Sequence, residues 1–376
     1  MSRIKITTLT PVHIGSGNML QLNTEFVPTA TLQEKYIRII DDRKVLELVG
    51  EEHLDDWLLS IEKQEDIKEF VKRYAPQSKV ADYSKRRLTS FVDSTTLKQG
   101  DTLKECIHNG FGLPYIPGSS IKGAMRTAIL TSLVNTIPNI ESNIRDKREK
   151  IGAEQIEKRL FGKDPNADVF RFLQVGDAYF EQGSEIAVQL VMGLNITHNT
   201  ENLIPKENKK PQLVEAIGVE EEALFQLKID KQHYENAKLA NPNAIGEMPQ
   251  EMMSINSLFG LINSYTCTLI EKEINIWKNY EERTGADKYI EKMDEILSEA
   301  RRCQSDECVL RIGHASGWRF ITGAWAEDLP NFNSTIVNAA RPNNRNYDEY
   351  IFPKSRRTDS DGDLIGFVKL KAIKDE

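Results

Sequence analysis

Apolar and polar positions alternate through RIKITTLT, with Ile4, Ile6 and Leu9 on the apolar side, and the pattern breaks at Gly15-Ser16-Gly17. That period predicts a half-buried strand running into a glycine loop. KYIRII predicts a second strand, which Asp41-Asp42 turns into another element. Residues 51–74 change to a helical period, with Leu54, Leu58, Ile61, Ile67, Phe70 and Val71 forming a discontinuous apolar stripe. Residues 75–110 are polar and irregular and predict an inserted loop or hairpin. A helix is predicted from about Ser120 to Val134, then strands at LQVGDAYF (173–180), EIAVQLVMGL (185–194) and FQLKID (225–230). Residues 253–302 are helical in period. VLRIGHASGWRFITGAW predicts strand, glycine loop and strand, and DLIGFVKLKAI a closing strand.

One internal echo organises this series. HIGSG (13–17) and RIGHASG (311–317) both follow a strand-like run and share the order Ile-Gly, then Ser-Gly. With strands and helices mixed in each half, the echo predicts two related α+β modules, each presenting a glycine loop. The division expected is 1–182, with an insertion at about 51–110, and 183–376, with the long helical segment at about 253–302. A chain of 376 residues suits two domains of ordinary size.

Composition narrows the class. With 39% hydrophobic and 28% charged residues the chain has the make-up of a soluble globular protein, and no run approaches the length of a membrane span. The start lacks the charged and apolar regions of a signal peptide. Four scattered cysteines, Cys106, Cys267, Cys303 and Cys308, do not make a disulfide scaffold, which points to a reducing, cytoplasmic setting. The net charge of −8 argues against coating nucleic acid through a global positive field, but it leaves room for a local groove. Positive clusters stand at Lys85-Arg86-Arg87, Arg145–Lys150 and Lys354–Arg357, and such clusters are commonly solvated surface.

The stretch FGLPYIPGSSIKGAMR (111–126) carries the most chemistry. Pro117-Gly118 punctuates the approach, Ser119 or Ser120 is a natural N-cap, and Lys122 and Arg126 lie one turn apart on an exposed face. Gly123 in the first turn costs roughly 1 kcal/mol relative to Ala, and close approach of a ligand to the backbone would explain it. A helix start with two cations can cradle phosphate. It can equally be a capped helix with a solvated Lys/Arg pair. No Walker loop or dinucleotide fingerprint is present. His13 has the chemistry of a general acid or base in RNA cleavage, or of a strand-end histidine satisfied by backbone. His314 has the same status. Trp318 and Phe320, beside Arg311 and Arg319, can stack on bases or pack in a core. Cys303, Cys308 and His314 fit no zinc spacing, and DSDGD (359–363) lacks the glycine and glutamate positions of a calcium loop. Asp361-Gly362 reads instead as a hairpin turn. Neither a metal nor a cofactor is expected.

TPVHIGSG, YIPGSSIKGAMR, LQVGDA and LIGFVKL, in this order, resemble the RAMP superfamily of CRISPR-associated proteins, and most of all the fifth Csm subunits of type III-A effector complexes. The resemblance implies two ferredoxin-like, RRM-related RAMP domains with helical and loop insertions. It implies an RNA-binding subunit, not an enzyme, that caps the backbone filament near the 3′ end of the crRNA and supports crRNA maturation. The partners it implies are the crRNA, the backbone RAMP subunit, the small helical subunit and host nucleases that trim the 3′ end; no membrane is implied. Carried over residue by residue, it makes Gly118, Ser119, Ser120, Lys122, Gly123 and Arg126 phosphate contacts and His13, Gly15 and Gly17 a glycine-loop surface. Gly313, Gly317 and Trp318, with Gly366 and Phe367, would belong to the second module. The alternative is a crRNA-processing endoribonuclease with His13 as general acid or base. His13 has no identifiable partner in sequence, which favours binding over cutting.

Overall fold

The computed structural model describes residues 1–30, 35–137, 154–181, 183–195, 212–279, 286–329, 332, 353, 355–359 and 362–373. The basic cluster Arg145–Lys150, and Lys354 and Asp361 of the other two motifs, lie outside the described residues. In chain order the first strands are β1 (Ser2–Thr8), β2 (Gly15–Gln21), β3 (Phe26–Ala30), β4 (Lys35–Ile40), β5 (Ser84–Ser90), β6 (Thr102–Cys106) and β7 (Tyr115–Ile116). They are followed by β8 (Leu173–Val175), β9 (Ala178–Phe180), β10 (Ile186–Asn195), β11 (Gln212–Ile217) and β12 (Glu222–Ile229). The last are β13 (Glu307–Arg311), β14 (Ser355–Thr358) and β15 (Phe367–Ile373). The helices are α1 (Asp42–Val49), α2 (Leu54–Glu62), α3 (Ile67–Tyr74), α4 (Gly118–Leu133), α5 (Glu154–Phe161), α6 (Lys231–Ala240), α7 (Ile255–Lys278) and α8 (Ala286–Arg302).

The fold is mixed α+β. One sheet has the order β13-β15-β1-β12-β9-β7, with β8 also on β12; the other runs β2-β6-β11-β10-β5-β4-β3, with β14 on β10. Strands from either side of residue 183 stand in both sheets. β1 shows how this comes about, because its alternation gives it two antiparallel neighbours from the far half: Ile4 faces Phe225 of β12 and Ala372 of β15. Ile4 and Ile6 are fully buried and join Ile121, Met125 and Ile129 of α4 in the main core. Leu258, Ile262 and Leu269 of α7 and Met293 and Leu297 of α8 complete it. A second core fills the space between Phe26, Ile37, Ile39, Leu88, Leu103 and Val188, and a third joins Val27 and Ile40 to α1 and α3.

Several elements differ from the sequence pattern for identifiable reasons. Residues 75–110, expected as an inserted loop or hairpin, supply β5 and β6, where Leu88, and Leu103 with Cys106, are buried among polar and charged neighbours in sequence. LQVGDAYF is two strands rather than one, broken at Gly176-Asp177, where the carboxylate turns aside to meet α4. The stretch after Trp318 is not a strand: Arg319–Gly323 is a π-helical turn and Ala324–Ala326 a 3₁₀ turn. That winding lets Arg319 bind both Glu327 and Glu273. Glu273 is buried on α7 and also takes Arg356 of β14 at 2.6 Å and the Tyr289 hydroxyl at 2.8 Å. Burial alone would raise its pKa; the Arg356 and Arg319 guanidinium groups outweigh it and hold the carboxyl at about 2.

The apolar stripe of 51–74 divides. Ile67, Phe70 and Val71 of α3 are buried, whereas Leu54, Leu58 and Ile61 of α2 are exposed, and α2 anchors itself through Trp57 and Ser60. Helical periodicity marks an apolar face and cannot say whether anything covers it.

Candidate functional site

A cleft of about 800 Å³ lies where residues from the two halves of the chain meet. His13, Gly15 and Gly17 form one wall, Gly313 and His314 another, and Ser120 and Gly123 of α4 a third. Six of the twelve candidate residues thus come together: His13, Gly15, Gly17, Ser120, Gly123 and Gly313. Asn18, Met19, Lys104 and Glu105 add to the first wall, and Ser316 and Phe320 to the second.

The two glycine stretches are joined directly. The backbone N–H of His314 donates to the carbonyl of His13 at 2.9 Å, and that of Gly366 donates to Pro11 at 2.8 Å. Gly313 has φ +74°, and a Cβ there would stand 2.5 Å from the His13 carbonyl oxygen, so only glycine fits. Gly15-Ser16-Gly17 is not a loop beyond β1, as expected. It opens β2, with the register slipping between the pairs Gly15–Cys106 and Met19–Lys104. Of the five exposed residues Gly15–Met19 at this bulge, Gly15, Gly17, Asn18 and Met19 line the cleft.

The histidine rings meet edge to face, with centroids 5.5 Å apart. His13 is buried, and its Nδ1 lies 2.6 Å from the carbonyl oxygen of Glu215. His314 pairs through Nε2 with Gln212 at 3.0 Å, and Lys104 reaches the same amide oxygen at 3.2 Å. Burial is the main cause that lowers the pKa of both rings; for His314 the positive charge of Lys104 adds to it and the value falls to about 4. Both imidazoles are therefore neutral at pH 7. Burial and Arg357 lower the pKa of Lys104.

α4 departs from the expected anion cradle. It starts at Gly118, with Pro117 as N-cap, so Ser119 and Ser120 are inside the helix rather than capping it. The Gly118 N–H donates to the Asp177 carboxylate at 2.8 Å, so the positive helix end already faces an anion from the protein itself. Gly118 is buried, and a Cβ would overlap the carbonyl oxygen of Val175; the glycine serves this close approach. Arg126 is not on a free face: it binds Glu157 and Asp168, both at 2.8 Å, and lies over the rings of Phe161 and Phe170. Lys122 is half-buried, and burial lowers its pKa. Gly118, Ser119, Lys122, Arg126, Gly317 and Trp318 are not lining residues of the cleft. Trp318 packs on Phe332, with centroids 5.8 Å apart.

Sequence reasoning missed the group behind the first wall. Arg86, expected on a solvated basic surface, bridges Glu105 at 2.8 Å and Glu215 at 3.0 Å. His108 Nε2 meets Glu215 at 3.1 Å, and Asn18 donates to Glu105 at 3.0 Å. Glu105, His108 and Glu215 are the residues that could hold a metal; Arg86 already supplies a cation to both carboxylates. Only the burial of a charged pair gives such a site away, and burial is not written in the motif Lys85-Arg86-Arg87.

Comparison with known proteins places the fold. The Csm5 protein of a CRISPR system from Methanocaldococcus jannaschii is 26% identical over 190 residues. That match covers 48% of this chain and 43% of the other, so the chain spans less than half the length of this relative. A chain in the cryo-EM structure of a Csm–crRNA–target RNA ternary complex of a type III-A CRISPR-Cas system aligns with a TM-score of 0.72 and 20% identity, over 99% of this chain and all of that one. The crystal structure of T. onnurineus Csm5 aligns with a TM-score of 0.64 and 20% identity, over 97% and 99% of the two chains. At such identities the likeness establishes the fold. The profile of the RAMP superfamily matches residues 5–320, which include both glycine stretches and α4. The chain is therefore a member of the RAMP superfamily.

Proposed function

We propose that this protein is an RNA-binding subunit of a type III-A Csm effector complex, a Csm5-like cap on the backbone filament near the 3′ end of the crRNA. The observation that carries the reading is the cleft, where HIGSG, RIGHASG and the first turns of α4 converge from distant parts of the sequence. Glycines and small side chains bring main chain to its surface, and Lys104, with Arg357 nearby, supplies positive charge. The relatives named above support the assembly. Other Csm subunits and the crRNA are then its partners, recruited host nucleases trim the 3′ end, and the protein works in the cytoplasm. No described helix is long and apolar enough to cross a membrane.

Gly123→Glu tests the role of the cleft. Gly123 is exposed and a Cβ there has open space, so the variant folds at least as well while placing a carboxylate in the cleft. RNA recovered with the assembled complex should fall several-fold or change in 3′ length; unchanged occupancy and length would overturn the reading.

Cleavage by a His13–His314 pair is the less favoured reading. Metal-free transesterification needs one ring to donate a proton, and burial keeps both neutral at pH 7. Purified protein incubated with repeat-containing RNA in chelator should leave it intact. Cleavage that disappears in His13→Ala would reverse this choice.

A further inference from the structure

We propose that His13 tells RNA from DNA at this cleft, its Nε2 accepting a hydrogen bond from a ribose 2′-hydroxyl; the proposal rests on the RNA-binding reading above. A carbonyl oxygen can only accept, so the 2.6 Å contact with Glu215 assigns the ring proton to Nδ1 and leaves Nε2 as an acceptor. Among the described residues the hydrogen-bond contacts of the ring are made at Nδ1, and His13 lines the cleft although the residue is only 2% exposed. An acceptor left open on the cleft can take a donor from whatever enters it.

Gly15 strengthens the argument. It is not one of the glycines at positive φ, so its backbone alone does not demand glycine. A Cβ at this position would instead stand 3.1 Å from His13 Nε2. Glycine here keeps that nitrogen approachable. Burial lowers the pKa of the ring, which works against a charged histidine donating to phosphate. The ligand group must donate, and the 2′-hydroxyl is the donor that every ribonucleotide carries whatever its base. The cleft lining that includes His13 also includes Gly15, Gly313 and Ser120, whose small size leaves room for a sugar.

The test uses the full chain and a short single-stranded oligouridylate, with one 2′-fluoro substitution walked along it. Fluorine preserves the ribose pucker but cannot donate. Binding should weaken about 2- to 10-fold at one or two positions, the effect of losing one neutral hydrogen bond. Gly15→Ala and His13→Phe should abolish that difference, while His13→Gln, whose amide can place an oxygen near the Nε2 position, should retain part of it. A flat scan on an oligonucleotide that still binds overturns the 2′-hydroxyl contact and leaves the RNA-binding reading standing. A loss that follows base identity instead of the 2′-group also overturns it. Failure of native protein to bind any of the oligonucleotides overturns the RNA-binding reading itself. Because the scan alters the ligand, it remains decisive even if a His13 variant fails to fold.

Discussion

Gly17 and Gly313 belong to two similar motifs, at the second and the first glycine respectively, and they answer different demands. Both have positive φ, +96° and +74°. Around Gly17 there is open space, whereas Gly313 presses on the backbone of His13. The first stretch is a bulged strand end presented to solvent; the second is a joint between distant parts of the chain. The motif is repeated in form at its second glycine, where Gly17 and Gly317 both have positive φ and open space, but not at its first, where Gly313 has positive φ against the His13 carbonyl and Gly15 does not. The exposed copy is free to meet a ligand, and the buried-side copy holds the walls of the cleft together.

Substitution of the two glycines should separate these duties. Gly313→Ala should cost about 3 kcal/mol, combining backbone strain with overlap against the His13 carbonyl, and should lower the thermal midpoint by several degrees. Gly17→Ala carries strain alone, about 1 kcal/mol, and should show its main effect in RNA binding. Equal losses of stability would remove the distinction.

The histidines beside these glycines offer a gentler probe. His13 and His314 bind a proton less readily folded than unfolded. Between the unfolded value of 6.5 and the folded value of about 4 for His314, the unfolded chain takes up more protons, so stability falls as pH falls through that window. Since His314 is only half-buried, its share is modest, on the order of 1 kcal/mol. Chemical denaturation of native protein and His314→Asn at pH 7 and pH 5 should show a smaller drop in the variant.

What the sequence could reveal follows the same division. Local pattern was sufficient for β1, β4, α7 and α8, whose apolar periods match the faces they bury. The glycine signal also marked Gly118 and Gly313, which close approach requires, but the same signal read Gly15-Ser16-Gly17 as a loop where β2 begins. Local pattern was not sufficient for charge. Lys122 and Arg126 look alike as cations one turn apart, yet Arg126 is bound by carboxylates 31 and 42 residues away. The same limit hid Arg86 between Glu105 and Glu215, and Asp177 at the start of α4. Exposure was equally hidden: α2 and α3 carry the same kind of stripe, yet α3 buries Ile67, Phe70 and Val71 in the third core and α2 contributes Trp57 to it.

The joint at Gly313 also bears on the order in which the molecule is completed. β1 is hydrogen-bonded to β15, with Arg3 opposite Ile373, and His13 to His314. Contacts between residues so far apart in the chain are costly to close in entropy and form slowly compared with local ones. During synthesis β1 must wait for β15 to emerge before the edge that pairs with it is covered. The cleft has no second wall until Gly313 and His314 have emerged and docked. A ribosome-bound fragment lacking them would expose the Gly15–Met19 bulge without the surface that completes it, so the cleft forms only after synthesis has passed His314.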